Sequence, residues 1–176
     1  MRTLLATSLL LISTASVANE FTIRISEETL SLFLDPTASE QSATQLAFIH
    51  NDDEDSDLLS AGYFASGTRG DINGRLGGKA YYADLDRDSG YGIALGGEVF
   101  LPIQPDLVIN GGAYYGPSSL SFSDVDGYQE IFVKVNYQVF DNARVGAGYG
   151  TLEVEPENGS DVDVEDGLFL EMNLSF

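Results

Sequence analysis

The chain has 176 residues, with 28 Asp plus Glu against 8 Lys plus Arg, a formal net charge of -20, and neither Cys nor Trp. That length suits one domain, and so acidic a chain has no basic stripe for a polyphosphate, which excludes nucleic acid as a partner. Without Cys there are no disulfides, thiolate metal sites or cysteine nucleophiles, and a single His, His50, removes most metal and general-base schemes.

The first eighteen residues read as a secretory signal peptide. Met1-Arg2-Thr3 is a short positive start, Leu4 to Ile12 is an apolar run too short to span a bilayer, and Ser16-Val17-Ala18 is a small-x-small cleavage pattern. Cleavage after Ala18 leaves one domain, 19–176, with seven basic residues against 28 acidic ones. No later stretch approaches eighteen apolar residues, so no transmembrane helix is predicted.

Nineteen Gly, ten Phe and nine Tyr favour β structure, and period-two alternation recurs along the exported chain. Phe21, Ile23 and Ile25 alternate first, then Leu30, Leu32 and Leu34. A hairpin centred on Glu27-Glu28 sets Ile25 opposite Leu30, Ile23 opposite Leu32 and Phe21 opposite Leu34, which puts all six side chains on one face. Glu-Glu is a poor two-residue turn, so a four-residue turn with the same register is expected. Weaker strands lie near 43–50 and 58–66, where Phe64 breaks the alternation. Stronger ones follow near 75–84, 91–100, 107–116, 130–139, 143–154 and 168–176. Counting the hairpin gives ten strands; without it there are eight.

A soluble sandwich and a membrane barrel both alternate, and the minor face decides between them. The basic residues of the predicted strands, Arg24, Arg75, Lys79, Lys134 and Arg144, all fall on the polar face. Glu98, Glu130 and Glu171 join them, interleaved with Gly77, Gly96, Gly112, Gly146 and Gly148. The apolar face carries almost nothing ionisable. That is the pattern of an outer-membrane barrel, with lipid outside and a polar, Gly-thinned interior. Connections alternate too: those at Gln104-Pro105-Asp106 and Phe140-Asp141-Asn142 are tight, whereas 51–57, 117–127 and 155–166 are longer and polar. Phe48, Tyr82, Tyr91 and Tyr115 stand on the apolar face beside the long loops, and Tyr137 and Phe176 mark the other rim, as aromatic girdles do.

Several stretches carry a family resemblance: His50-Asn51-Asp52-Asp53, Gly77-Gly78-Lys79-Ala80-Tyr81, Gly90-Tyr91-Gly92 running to Gly96-Gly97, Tyr114-Tyr115-Gly116-Pro117 with Ser119-Leu120, Tyr128-Gln129-Glu130, and Gly148-Tyr149. In that order they resemble the YfaZ-type outer-membrane proteins, from about residue 44 to the terminus. The resemblance implies a small outer-membrane barrel of a family with no established biochemical activity.

Three candidate chemistries follow. The loops and the first hairpin tip hold eighteen carboxylates against one base, Arg87. Among them Asp52, Asp53, Asp55, Asp57, Asp161, Asp163, Glu165 and Asp166 are spaced to share a hard cation weakly. Asp84-x-Asp86-x-Asp88 starts like a calcium loop, but Ser89 and Leu95 replace its Gly and closing Glu, and a solvated anionic rim is the preferred reading. A serine-type lipid hydrolase would need His50 beside a Ser such as Ser56 or Ser60, and no nucleophile motif surrounds either. The polar-face residues Arg24, Arg75, Lys79, Glu98, Glu130, Lys134, Arg144 and Glu171 form a lumen charge network, favouring a plug over a pore in so narrow a barrel.

The expectation is therefore an all-β, small antiparallel transmembrane barrel, ten strands before eight, in the Gram-negative outer membrane. Its expected role is structural or interactive, with no catalysis; a narrow channel and a lipid-modifying enzyme are the alternatives. No cofactor is expected beyond weak Ca²⁺ or Mg²⁺ at the loops. The expected partners are outer-membrane lipid, lipopolysaccharide and the outer-membrane insertion machinery, with the barrel itself a monomer.

Overall fold

A computed structural model describes residues 20–38, 41–86, 88–157 and 160–176. The signal peptide and Arg87 lie outside these. Eleven strands follow one another: β1 (Glu20–Ile25), β2 (Thr29–Ala38), β3 (Ser42–Asn51), β4 (Ser56–Arg69), β5 (Ile72–Asp84), β6 (Ser89–Gln104), β7 (Leu107–Gly116), the short β8 (Ser121–Ser123), β9 (Val125–Phe140), β10 (Ala143–Pro156) and β11 (Val162–Ser175). Sequential antiparallel pairing carries the sheet round, and β1 pairs with β11 to close it. Apart from β8, which extends β6 inside a loop, the described strands make a closed ten-strand barrel. Closure leaves no free sheet edge, as lipid requires.

The first hairpin has the register expected from its alternation: Ile25 faces Leu30, Ile23 faces Leu32 and Phe21 faces Leu34. Its turn spans four residues, with Ser26 N donating to Thr29 O at 2.9 Å. This hairpin decides for ten strands over eight.

Strands run further than alternation predicted, notably β4 to Arg69 and β6 from Ser89 to Gln104. The long connections shrink to match, so β3 and β4 are separated only by 52–55 and β10 and β11 only by 157–161. Beyond the hydrocarbon, a ladder keeps its hydrogen bonds while its side chains need no apolar face, so polarity stops marking strand from loop there. The β1–β2, β3–β4, β5–β6, β7–β9 and β10–β11 connections lie at one end of the barrel, and the β2–β3, β4–β5, β6–β7 and β9–β10 connections at the other. Both ends of the barrel's chain, Glu20 and Ser175, pair with each other at the short-turn end.

The outer wall is apolar, with Leu76, Leu95, Val133, Leu168 and Leu170 all more than half exposed to what would be lipid. The inner wall is not uniformly polar, which corrects the expectation from its strand middles. Ile49, Leu58, Ala83, Val125, Val154 and Val164 turn inward beneath the long loops, each at most 3% exposed. Inner glycines make room for rings rather than water. A Cβ at Gly148 would lie 2.6 Å from the Phe169 ring, and one at Gly112 would lie 2.7 Å from that of Phe132.

Candidate functional site

Below the apolar layer the lumen is crossed by ion pairs, each spanning different strands. Lys79 of β5 reaches Glu130 of β9 at 2.5 Å, and Tyr128 Oη donates to the same Glu130 oxygen at 2.5 Å. Arg24 of β1 meets Glu171 and Glu165 of β11, each at 3.3 Å, and Lys134 of β9 also binds Glu171, at 2.7 Å. Nearer the short-turn end, Arg75 Nη2 lies 2.6 Å from Glu98, whose carboxylate also accepts from Tyr114 Oη at 2.8 Å. Arg144 and Glu20 pair at 2.9 Å at the mouth.

Rings complete the packing. The Arg24 guanidinium lies 4.0 Å from the Phe169 centroid and 4.9 Å from that of Phe33, while Lys79 Nζ lies 3.8 Å from that of Tyr114. A desolvated cation gains about 0.5–2 kcal/mol from such a face. A buried charge is tolerable only when paired and hydrogen-bonded, and these rings and carboxylates supply both partners and low-dielectric walls.

All eight polar-face residues named from the sequence point into this lumen. The structure adds Glu20, Asp35 and Glu165, and it overturns the placement of Glu165 among the loop carboxylates. Period two from Phe169 runs back through Gly167 to an inward Glu165, and Val164 is an extra residue opposite the Leu152–Glu153 step of β10. That bulge buries Val164 and Glu165 side by side, at 0% and 3% exposure. Nothing in the sequence marks the bulge. The inward phase of Glu165 was legible once β11 was taken to begin before residue 168.

A recess of about 270 Å³ remains at the short-turn end. Its wall includes Asp35, Arg75, Glu98, Asn110, Asn136 and Arg144. At the other end the long loops carry a different arrangement. His50 points to the outer surface, its Nδ1 2.8 Å from Asp57 and its Nε2 3.1 Å from Asp52. Ser56 and Ser60 are buried on the inner side, so neither approaches the imidazole. Asn51 is 2% exposed and staples the acidic turn: its Oδ1 accepts from the backbone N–H of Asp53 and Glu54, and its Nδ2 donates to the carbonyls of Asp163 and Val164.

Of the candidate cation ligands, Asp52, Asp53, Asp55, Asp161 and Asp163 are exposed, Asp57 holds His50 and Asp166 accepts from Tyr149 Oη at 2.8 Å. Among the described residues no group of three or more carboxylates and His gathers as a metal site. Crowding is evident all the same. The charge of Asp53, with slight burial and the charges of Glu27, Glu54 and Asp166, raises the Glu28 carboxyl above its ordinary value.

The family model described as "YfaZ precursor" matches residues 1–176. The outer membrane protein YfaZ of Escherichia coli (strain K12) is 33% identical over 129 residues, covering 72% of this chain and 71% of that one. Among solved structures, the KdgM porin is similar with a TM-score of 0.46 at 8% identity, over 89% of this chain and 98% of that one. The outer-membrane channel DcaP of Acinetobacter baumannii gives 0.45 at 11% identity, over 92% of this chain. This chain spans 55% of DcaP's length.

Proposed function

The chain belongs to the YfaZ family of outer-membrane proteins, and from that premise we propose that it is a closed, non-conducting barrel whose work is structural or interactive and lies at its acidic outer loops. The long-loop end faces the medium and the short-turn end the periplasm, the usual disposition of bacterial barrels. One observation carries the reading. Ile49, Leu58, Val125, Val154 and Val164, from five strands, fill the lumen beneath the loops and are each at most 3% exposed. An ion arriving from outside meets an apolar layer first and an ion-pair lattice next.

Catalysis is not part of this role. Both ring nitrogens of His50 are taken by carboxylates, and the neighbouring serines face away from it. The test is planar-bilayer recording of the purified protein. Reproducible single-channel steps would replace this reading with a narrow conduit, whereas a silent bilayer containing folded protein supports it. Hydrolysis or acyl transfer on outer-membrane lipid that disappears in His50→Ala would instead make it an enzyme.

A further inference from the structure

Among the described residues each of the five lumen cations has a carboxylate within 3.3 Å, and the match leaves one carboxylate over. That group is Asp35. Its ion-pair contact is Arg75 Nη1 at 4.0 Å, and Arg75 is already committed to Glu98 at 2.6 Å. Its hydrogen bond from Gln45 Nε2 is long, at 3.4 Å. Directly opposite it across the β1–β2 ladder stands another carboxylate, Glu20. Like charges facing each other across a ladder repel, and here Arg144 offsets Glu20 at 2.9 Å while Asp35 is left with its long contacts.

Two acceptors of the recess wall also lack a donor. The side-chain carbonyl oxygens of Asn110 and Asn136 have no hydrogen-bond partner, although the residues are only 1% and 8% exposed and both belong to the recess wall. A buried polar atom left unpaired is rare and costly, so two beside one cavity ask for a donor. Arg75 Nε, a donor in the same wall, lacks a partner as well, and its guanidinium lies 4.8 Å from the Phe64 centroid and 5.7 Å from that of Phe100. A β-bulge at Asp35-Pro36, where two residues of β2 oppose Gln45 alone, interrupts the ladder beside the surplus carboxylate.

We propose that this recess binds a small aliphatic amine, as its ammonium, entering from the short-turn end. The ammonium sits between Asp35 and Glu20 and supplies hydrogen bonds to the unpartnered Asn Oδ1 atoms, while the wall's own cations, Arg24, Arg75, Lys134 and Arg144, stay with their carboxylates. Its methylene chain lies along Ala43, Phe100 and Val108, which also line the cavity. Among the described residues no third carboxylate gathers with this pair, which suits an N–H donor better than a hard divalent ion. The periplasm as the source of the amine rests on the orientation proposed above; the site itself does not.

The test is calorimetric titration of the detergent-solubilised protein with 1,4-diaminobutane, beside sodium chloride at matched ionic strength and sodium butyrate. One saturable diamine site per barrel is expected, with no binding of butyrate. Asp35→Asn, which removes the surplus charge and is expected to fold, should weaken binding at least tenfold. Val108→Trp leaves both carboxylates in place but fills the recess, and should weaken it as much. Asp141→Asn at a short turn should change nothing. No saturable diamine binding, or wild-type affinity in either Asp35→Asn or Val108→Trp, overturns the proposal. Equal occupancy by sodium also overturns it and assigns the recess to inorganic cations. A negative result here leaves the closed-lumen reading intact, since conductance tests that separately.

Discussion

Glu130 has one cation, Lys79 at 2.5 Å, and one phenol, Tyr128, on the same carboxylate oxygen. Removing the carboxylate leaves an ammonium buried against the rings of Tyr114 and Tyr128. Glu130→Ala is therefore expected to cost about 3–5 kcal/mol, the usual penalty for stranding one member of a buried pair. Glu130→Gln, which keeps the hydrogen bonds, should cost less; urea unfolding in lipid vesicles reads both. On the other face the logic reverses. Val133 and Leu170 are 53% and 68% exposed, and an Arg at either should cost about 2–4 kcal/mol if it sits near the bilayer midplane. If Val133→Arg is silent while Val133→Leu unfolds the barrel, the two faces have been interchanged.

At the scale of elements, how much could be read beforehand depended on where lipid enforces alternation. The hairpin from Phe21 to Leu34 was legible down to its register, because six apolar residues had to share one face. The upper ends of β4, β9 and β11 were not, because outside the hydrocarbon a strand is free to carry Asp57, Asp126 or Asp163. Bulges at Asp35-Pro36 and Val164 were silent for another reason: an inserted residue shifts phase without altering composition. So the charged strand middles could be assigned to the inner wall from sequence, whereas the bulge that buries Val164 beside Glu165 and the contacts of Asp35 and Glu20 needed coordinates.

Loop 52–55 depends on one side chain. Asn51→Ala removes the acceptor of the Asp53 and Glu54 amides and both bonds to the β11 backbone. Faster hydrogen exchange at Asp53 and Glu54, with the rest of β3 unchanged, is the expected result. Repulsion in the same rim is set by pH. Because like charge raises the Glu28 carboxyl, the repulsion is present at neutral pH and is lost as pH falls through that raised value. Millimolar Ca²⁺ should accordingly protect loops 26–28 and 52–55 from proteolysis at pH 7 more than sodium at equal ionic strength does. Equal protection would reduce the effect to screening, which at physiological salt acts over about 8 Å.

The whole molecule is asymmetric along its axis: apolar beneath the long loops, charged around a recess at the short turns. The chain contains no Cys, so single cysteines report accessibility without background. The decisive measurement places one at Asp53, one at Val154 and one at Val108, then labels intact cells with a membrane-impermeant maleimide and repeats the labelling after the outer membrane is opened. Asp53→Cys should label on intact cells, Val108→Cys only after opening, and Val154→Cys in neither. Labelling of Val108→Cys on intact cells at the rate of Asp53→Cys would mean that the lumen conducts past the apolar layer, contradicting the closed barrel.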